Sequence, residues 1–217
     1  MVVRFLIAVN AVVFLWEMVT GALSGPYALY THGALVPIAV TQGHQYWRLI
    51  TAAFLHANLM HILLNMLSLW WLGNFIENVA GSVRTAIIYA VSLLVSSLGV
   101  VYFSDPYTVT LGASGAIFGL FGALFAIGLK HGRPGMELIR ANIGILVLNL
   151  IFTFAVPFIS KAAHLAGLLA GFVLALIIYR PPVAVRAQVV DSETGEAIES
   201  TYEDPGAAAV PPFGTPR

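Results

Sequence analysis

Six apolar blocks, each close to the length needed to cross a lipid bilayer, decide what this chain can fold into. They fall at about Phe5–Leu23, Ala57–Ile76, Thr85–Phe103, Ala113–Leu129, Leu138–Phe158 and Ala162–Tyr179. A helix rises about 1.5 Å per residue and the hydrocarbon core is about 30 Å thick, so roughly 20 mostly apolar residues make one crossing. Backbone N–H and C=O groups find no water in that layer, and a helix satisfies them internally. The chain is therefore expected to be an all-α membrane protein, a bundle of six transmembrane helices. Composition agrees: 59% of the 217 residues are hydrophobic and 9% are charged, where a soluble domain carries about a quarter charged residues.

Zero formal net charge leaves no basic face for phosphate backbones, so nucleic acid is not an expected partner. Cysteine is absent, which removes disulfides, thiolate metal sites and a thiol nucleophile. The run Val2–Gly21, with only Arg4 near its start, exceeds a signal-peptide core and reads as a retained first span. The loop from Ser24 to His56 holds Pro26, Pro37, Tyr27, Tyr30, Tyr46 and Trp47, a mixture suited to a long, folded first loop at the membrane interface. Residues 1–180 are read as one membrane domain. Beyond it, residues 181–217 turn to Pro, Gly, Ala and acidic residues, and a disordered cytoplasmic tail is expected.

Lys and Arg close to spans are retained on the cytoplasmic side during insertion. Arg4, Arg84, Lys130, Arg133, Arg140, Arg180 and Arg186 gather on the side of the N-terminus, against Arg48 and Lys161 opposite. Both termini are thus expected in the cytoplasm of a multi-pass protein of the cell's inner or plasma membrane. The second, fourth and sixth helices then run inward from the outer face, with their first turns at similar depth.

Unusual polar residues collect at those three helix starts: His56, His61 and Asn65 on the second, Gly112-Ala113-Ser114-Gly115 opening the fourth, and His164 early in the sixth. His61 and Asn65 are four apart, hence on one helix face. Polar side chains in spans usually face a bundle interior, a water-filled cavity or a partner. Each has a plain reading too: His61 and Asn65 as interhelical hydrogen bonds, Ser114 between glycines as a small packing residue. Gly115-xxx-Gly119 and Gly167-xxx-Gly171 encode close approach of the fourth and sixth helices, and His164 lies on nearly the same face as Gly167. That seam would carry the imidazole towards Ser114. A hydroxyl becomes a nucleophile when a neutral imidazole within about 3 Å takes its proton. Only Glu17 among the acidic residues sits inside a span, so a two-residue dyad is expected, with helix packing orienting His164. Donors to an oxyanion would be the Ser114 N–H, in the turn with Gly112 and Ala113, and the side chains of Asn65 and His61.

Together, Gly112-Ala113-Ser114-Gly115, His164-x-x-Gly167-xxx-Gly171 and His56-xxxx-His61-xxx-Asn65, with Trp47-Arg48 and Glu77-xxx-Gly81, resemble the signature of rhomboid intramembrane serine proteases. The resemblance covers roughly Phe5 to Tyr179. It implies a serine endopeptidase with Ser114 as nucleophile, His164 as base and His61 and Asn65 on the oxyanion side. It also implies a ring at Phe118 stacked on the base, where some relatives carry tyrosine. A hydrophilic cavity open to the outer side, a first loop half embedded in lipid and a mobile fifth helix admitting substrate laterally are implied as well. Substrates would be membrane proteins cleaved near the outer end of a spanning helix. No metal or organic cofactor is implied, and oligomeric state is not encoded.

Two rivals frame that expectation. A small-solute transporter would also bury polar residues, but it predicts inverted repeats and a polar path across the membrane. A relative without catalysis could bind membrane clients on the same fold. Glu17 is expected to hydrogen-bond the first loop, with a proton relay or pairing to Arg48 the other possibilities; Arg48 is expected to donate to loop carbonyls. Trp47, Trp70 and Trp71 read as interface or packing aromatics, and His32, His44 and His131 as solvent-facing loop residues.

Overall fold

The computed structural model describes residues 1–181, 186–190 and 197–201. Each apolar block forms a helix. The first, α1, spans Val2–Thr20 and ends at Gly21, whose φ of 77° is the left-handed conformation that closes a helix C-terminus. Its first turn is capped from afar: Glu77 accepts the N–H groups of Val2 at 2.8 Å and Val3 at 3.0 Å, and pairs with the Met1 ammonium. Glu77 thus answers donors that a helix start leaves unbonded.

The loop that follows is folded. Three short helices, α2 Pro26–Thr31, α3 Pro37–Thr41 and α4 Arg48–Thr51, two of them opened by proline, succeed one another. Arg48 ties them together. Its buried guanidinium donates to the carbonyls of Tyr30 and Ala34, both at 2.7 Å, and to Gln45 Oε1 at 2.6 Å, and lies over the rings of Tyr30 and Trp47. Burial draws the Arg48 pKa down from its ordinary value. Glu17 anchors the loop's end: both carboxylate oxygens accept the His56 N–H, at 3.1 and 3.2 Å. The expected loop contact is what the structure shows, rather than an ion pair with Arg48.

The second long helix, Leu59–Ala80, consists of α5 Leu59–Ser68, a π-helical turn Leu69–Gly73 and α6 Asn74–Ala80. Trp70 and Trp71 stand exposed on that turn while Leu69 and Leu72 point inward. After it come α7 Ser82–Phe103, α8 Ser114–Lys130, α9 Gly132–Ala155 and α10 Lys161–Ile178.

Among the described residues five helices are long and apolar enough to cross a membrane; α8 has 17 residues and falls short of that length. Hydropathy alone predicts a sixth span there, near the spanning length like the others. Its environment explains the difference, for α8 is the core of the bundle, with every residue from Gly115 to Leu124 buried against α7, α9 and α10. A helix sheathed by protein has no need to match the thickness of lipid. The seam between α8 and α10 follows the glycines in register: a methyl placed on Gly167 would fall on the Gly115 carbonyl oxygen, and one on Gly171 on that of Gly119.

The C-terminal segment is a separate unit beginning at Arg180. Within the stretch expected to lack structure, β1 Arg186–Val190 and β2 Ala197–Thr201 pair antiparallel, with Val189 opposite Ile198. Averaging composition over the tail hides these local β-branched residues, which favour strands. The rest of the tail expectation falls on residues 182–185, 191–196 and 202–217, outside the described residues.

Candidate active site

Ser114 is the first residue of α8, at the end of a loop held on both sides. Leu35 and Thr110 exchange backbone hydrogen bonds at 2.9 and 2.8 Å, and the Gly112 N–H donates to the Ala52 carbonyl at 2.8 Å. The first loop therefore sets the entry to α8. Gly112 has φ +114°, and a Cβ there would stand 2.7 Å from His61 Nε2, so this position needs glycine for both backbone and space. Ala113 is buried behind it.

His164 lies one turn into α10 and is 7% exposed. Its Nε2 is 2.8 Å from Ser114 Oγ. Phe118, one turn along α8 from Ser114, stacks on the imidazole with ring centroids 4.1 Å apart and planes 15° from parallel. The serine, the base and the stacked ring expected from sequence thus meet in one place. The Gly115 and Gly167 contact beside them keeps α8 and α10 at backbone distance, which brings the 114 and 164 side chains within reach.

Beside Gly112 stand the polar residues of α5. Asn58 caps that helix, its Oδ1 accepting the His61 N–H at 2.9 Å. His61 Nδ1 accepts from the Ala57 N–H at 3.4 Å, which leaves Nε2 to carry the ring proton on the side of Gly112. Asn65 Nδ2 donates to the His61 carbonyl at 3.0 Å and also faces Gly112, 3.9 Å from where its Cβ would be. His56 is fully buried and meets the His61 ring edge-on at 5.0 Å. Burial, reinforced by the neighbouring His61, holds the His56 pKa down at about 3, so it is neutral at physiological pH.

One neighbour of the pair was not read from the sequence. Thr153, in the last turn of α9, places Oγ1 at 2.8 Å from His164 Nδ1 and at 2.7 Å from the Asn149 carbonyl. The His164 ring is held by a hydrogen bond as well as by packing. Two of the histidines expected to face solvent do otherwise: His131 Nε2 lies 2.6 Å from the Tyr179 hydroxyl, and His32 Nδ1 lies 2.7 Å from the Ala28 carbonyl. Both rings are half-buried; His44 is exposed. Among the described residues no group of three or more histidine, cysteine or acidic side chains could hold a metal ion.

A half-buried serine hydrogen-bonded to a buried histidine within an apolar helical bundle is the class of structure these residues build. The chain belongs to the rhomboid family. The family model described as "Rhomboid domain" matches residues 43–181, which takes in the second loop half and all the helices that carry the site. Rhomboid protease GluP of Bacillus subtilis is 35% identical over 176 residues, 81% of this chain and 34% of that protein. The putative rhomboid protease YdcA of the same organism is 32% identical over 185 residues, covering 81% of this chain and 87% of the relative. RHOMBOID-like protein 1 of Arabidopsis thaliana is 37% identical over 164 residues, 71% of this chain and 41% of that protein. The chain thus spans about a third of GluP's length and most of YdcA's.

Proposed function

We propose that this chain is an intramembrane serine endopeptidase that cleaves membrane-protein substrates in or near their spanning helices. The observation that carries the reading is the 2.8 Å approach of His164 Nε2 to Ser114 Oγ inside the bundle; the names of its rhomboid relatives support it. In this reading six helices cross the membrane, α8 among them as a short central one. The first loop lies at the interface, both termini are cytoplasmic, and the site opens to the outer side, as the distribution of Lys and Arg favours. Residues 1–180 form the protease domain and 181–217 its tail.

The chemistry follows from the geometry. His164 Nε2 removes the Ser114 proton as Oγ attacks the scissile carbonyl, and the imidazolium then protonates the leaving amine. Water, activated by the same base, releases the acyl group. The tetrahedral oxyanion is met by the Ser114 N–H at the start of α8, where the helix dipole is positive, and by His61 Nε2–H and Asn65 Nδ2 opposite, all around the Cβ-free backbone of Gly112. Phe118 keeps the imidazole in plane. No step calls for a metal or organic cofactor.

Purified protein in detergent or lipid is expected to cleave a model single-span substrate, and Ser114→Ala and His164→Ala to abolish the product while the fold persists. Undiminished cleavage in either variant overturns the dyad. No cleavage by the native protein and no labelling of Ser114 by a serine-hydrolase probe would favour a client-binding or transport role instead.

A further inference from the structure

Thr153 is a hydroxyl on the most exposed of the long helices. Its four buried residues, Gly135, Leu138, Leu146 and Thr153, form a single stripe, while Ile151, Phe152 and Phe154 around the threonine face outward. An isolated threonine in an apolar helix bonds its own i−4 carbonyl, and Thr153 does so to Asn149 at 2.7 Å. That bond settles the direction of what lies beyond it. A carbonyl only accepts, so the Thr153 hydroxyl proton points to Asn149, and Oγ1 is left as an acceptor towards His164 Nδ1 at 2.8 Å. Nδ1 must then carry the proton. In a neutral imidazole the other nitrogen is a bare acceptor, and that nitrogen is Nε2, 2.8 Å from Ser114 Oγ.

We propose that Thr153 is a positioning residue for the reaction put forward above: from α9 it selects the His164 tautomer able to take the Ser114 proton. The inference rests on the Ser114 and His164 reading. It assigns to a threonine the part that a buried carboxylate plays in a full triad, where the third group fixes the tautomer and orientation of the base. It also gives α9 a stake in catalysis. A hydrogen bond stretched from 2.8 Å to about 3.6 Å is no longer one, so displacement of the last turn of α9 by about an ångström releases the tautomer and slows proton removal. Packing by Phe118 alone holds the ring's plane, but a stacked phenyl does not distinguish the two nitrogens.

Two measurements test this. In 15N-histidine-labelled protein at pH 8, with His164 assigned by its loss in His164→Ala, the spectrum should show Nδ1 protonated and Nε2 bare. Thr153→Val, which keeps the shape and removes the oxygen, should yield a mixture of tautomers. On a model substrate Thr153→Val should lower kcat about tenfold with KM within twofold, whereas Thr153→Ser should restore kcat to within about twofold. Protonation of His164 at Nε2 in the native protein overturns the proposal. So does a Thr153→Val enzyme of native kcat when Ser114→Ala and His164→Ala are inactive. Should those two variants stay active, the dyad reading fails instead, and the nitrogen spectrum still decides the tautomer. The spectrum of the unmodified protein serves equally if Thr153→Val does not fold.

Discussion

Gly167 of α10 lies so close to α8 that a methyl group on it would land on the carbonyl oxygen of Gly115. The obstacle is backbone, which has no rotamer to yield, and the next contact along the seam, Gly171 on Gly119, is equally tight. Gly167→Ala should therefore push the helices apart, costing about 1–3 kcal/mol as overpacking does elsewhere. His164 sits three residues before Gly167, so the shift also lengthens its bond to Ser114. Thermal unfolding in detergent should show a lowered midpoint, and cleavage should fall at least tenfold. An unchanged midpoint would mean the seam is looser than its geometry.

Phe118 offers a finer probe, since it touches the His164 ring without joining the hydrogen-bond chain. Its ring lies nearly parallel to the imidazole at 4.1 Å and is 4% exposed. Phe118→Ala opens a cavity beside His164 and should cost about 3–5 kcal/mol of stability together with most of kcat. Phe118→Tyr keeps the stack and should retain activity within a few fold. Comparing the two by kinetics and unfolding separates the ring's stacking from any contribution of a phenol.

The loop anchors predict effects on stability away from the chemistry. Removing the Glu17 carboxylate leaves the buried His56 N–H without the acceptor it has at 3.1 Å, a loss of about 1–3 kcal/mol. Arg48→Lys surrenders the planar fork that reaches Tyr30, Ala34 and Gln45 together. Both Glu17→Ala and Arg48→Lys should hasten proteolysis within residues 24–56, measured by limited digestion in micelles. Equal digestion rates would show that the loop holds without them.

Much of this arrangement was legible because helical spacing is strict. Residues three and four apart share a face, so spacing alone relates His61 to Asn65 and His164 to Gly167, and the paired glycines mark which helices touch. Thr153 was not legible. A lone threonine in a span usually satisfies itself on its own helix, and only the tertiary packing of α9 against α10 reveals that its second lone pair serves His164. The shortness of α8 was hidden for a related reason. Hydropathy counts apolar residues without telling whether lipid or protein surrounds them, and Ala113–Leu129 is apolar because it is the core. His131 looked like a loop residue because the neighbour that half-buries it, Tyr179, is far away along the chain.

The last prediction concerns pH. His56 is fully buried, and its pKa is held at about 3, first by burial and then by His61, against an ordinary value of 6.5. Above pH 6.5 the ring is neutral in both folded and unfolded chains and contributes no pH dependence. As pH falls below 6.5 the unfolded chain takes up a proton that the folded chain refuses, so stability declines by about 1.4 kcal/mol per pH unit from this group, levelling off near the folded pKa of about 3. Replacing the ring with a neutral group of similar size, His56→Gln, should remove that share of the slope. Unfolding midpoints of the two proteins, compared between pH 7 and pH 4, should therefore converge as acid is added, with the native protein losing more. Parallel curves would show that the His56 ring is hydrated or paired on folding and that its burial carries no proton linkage.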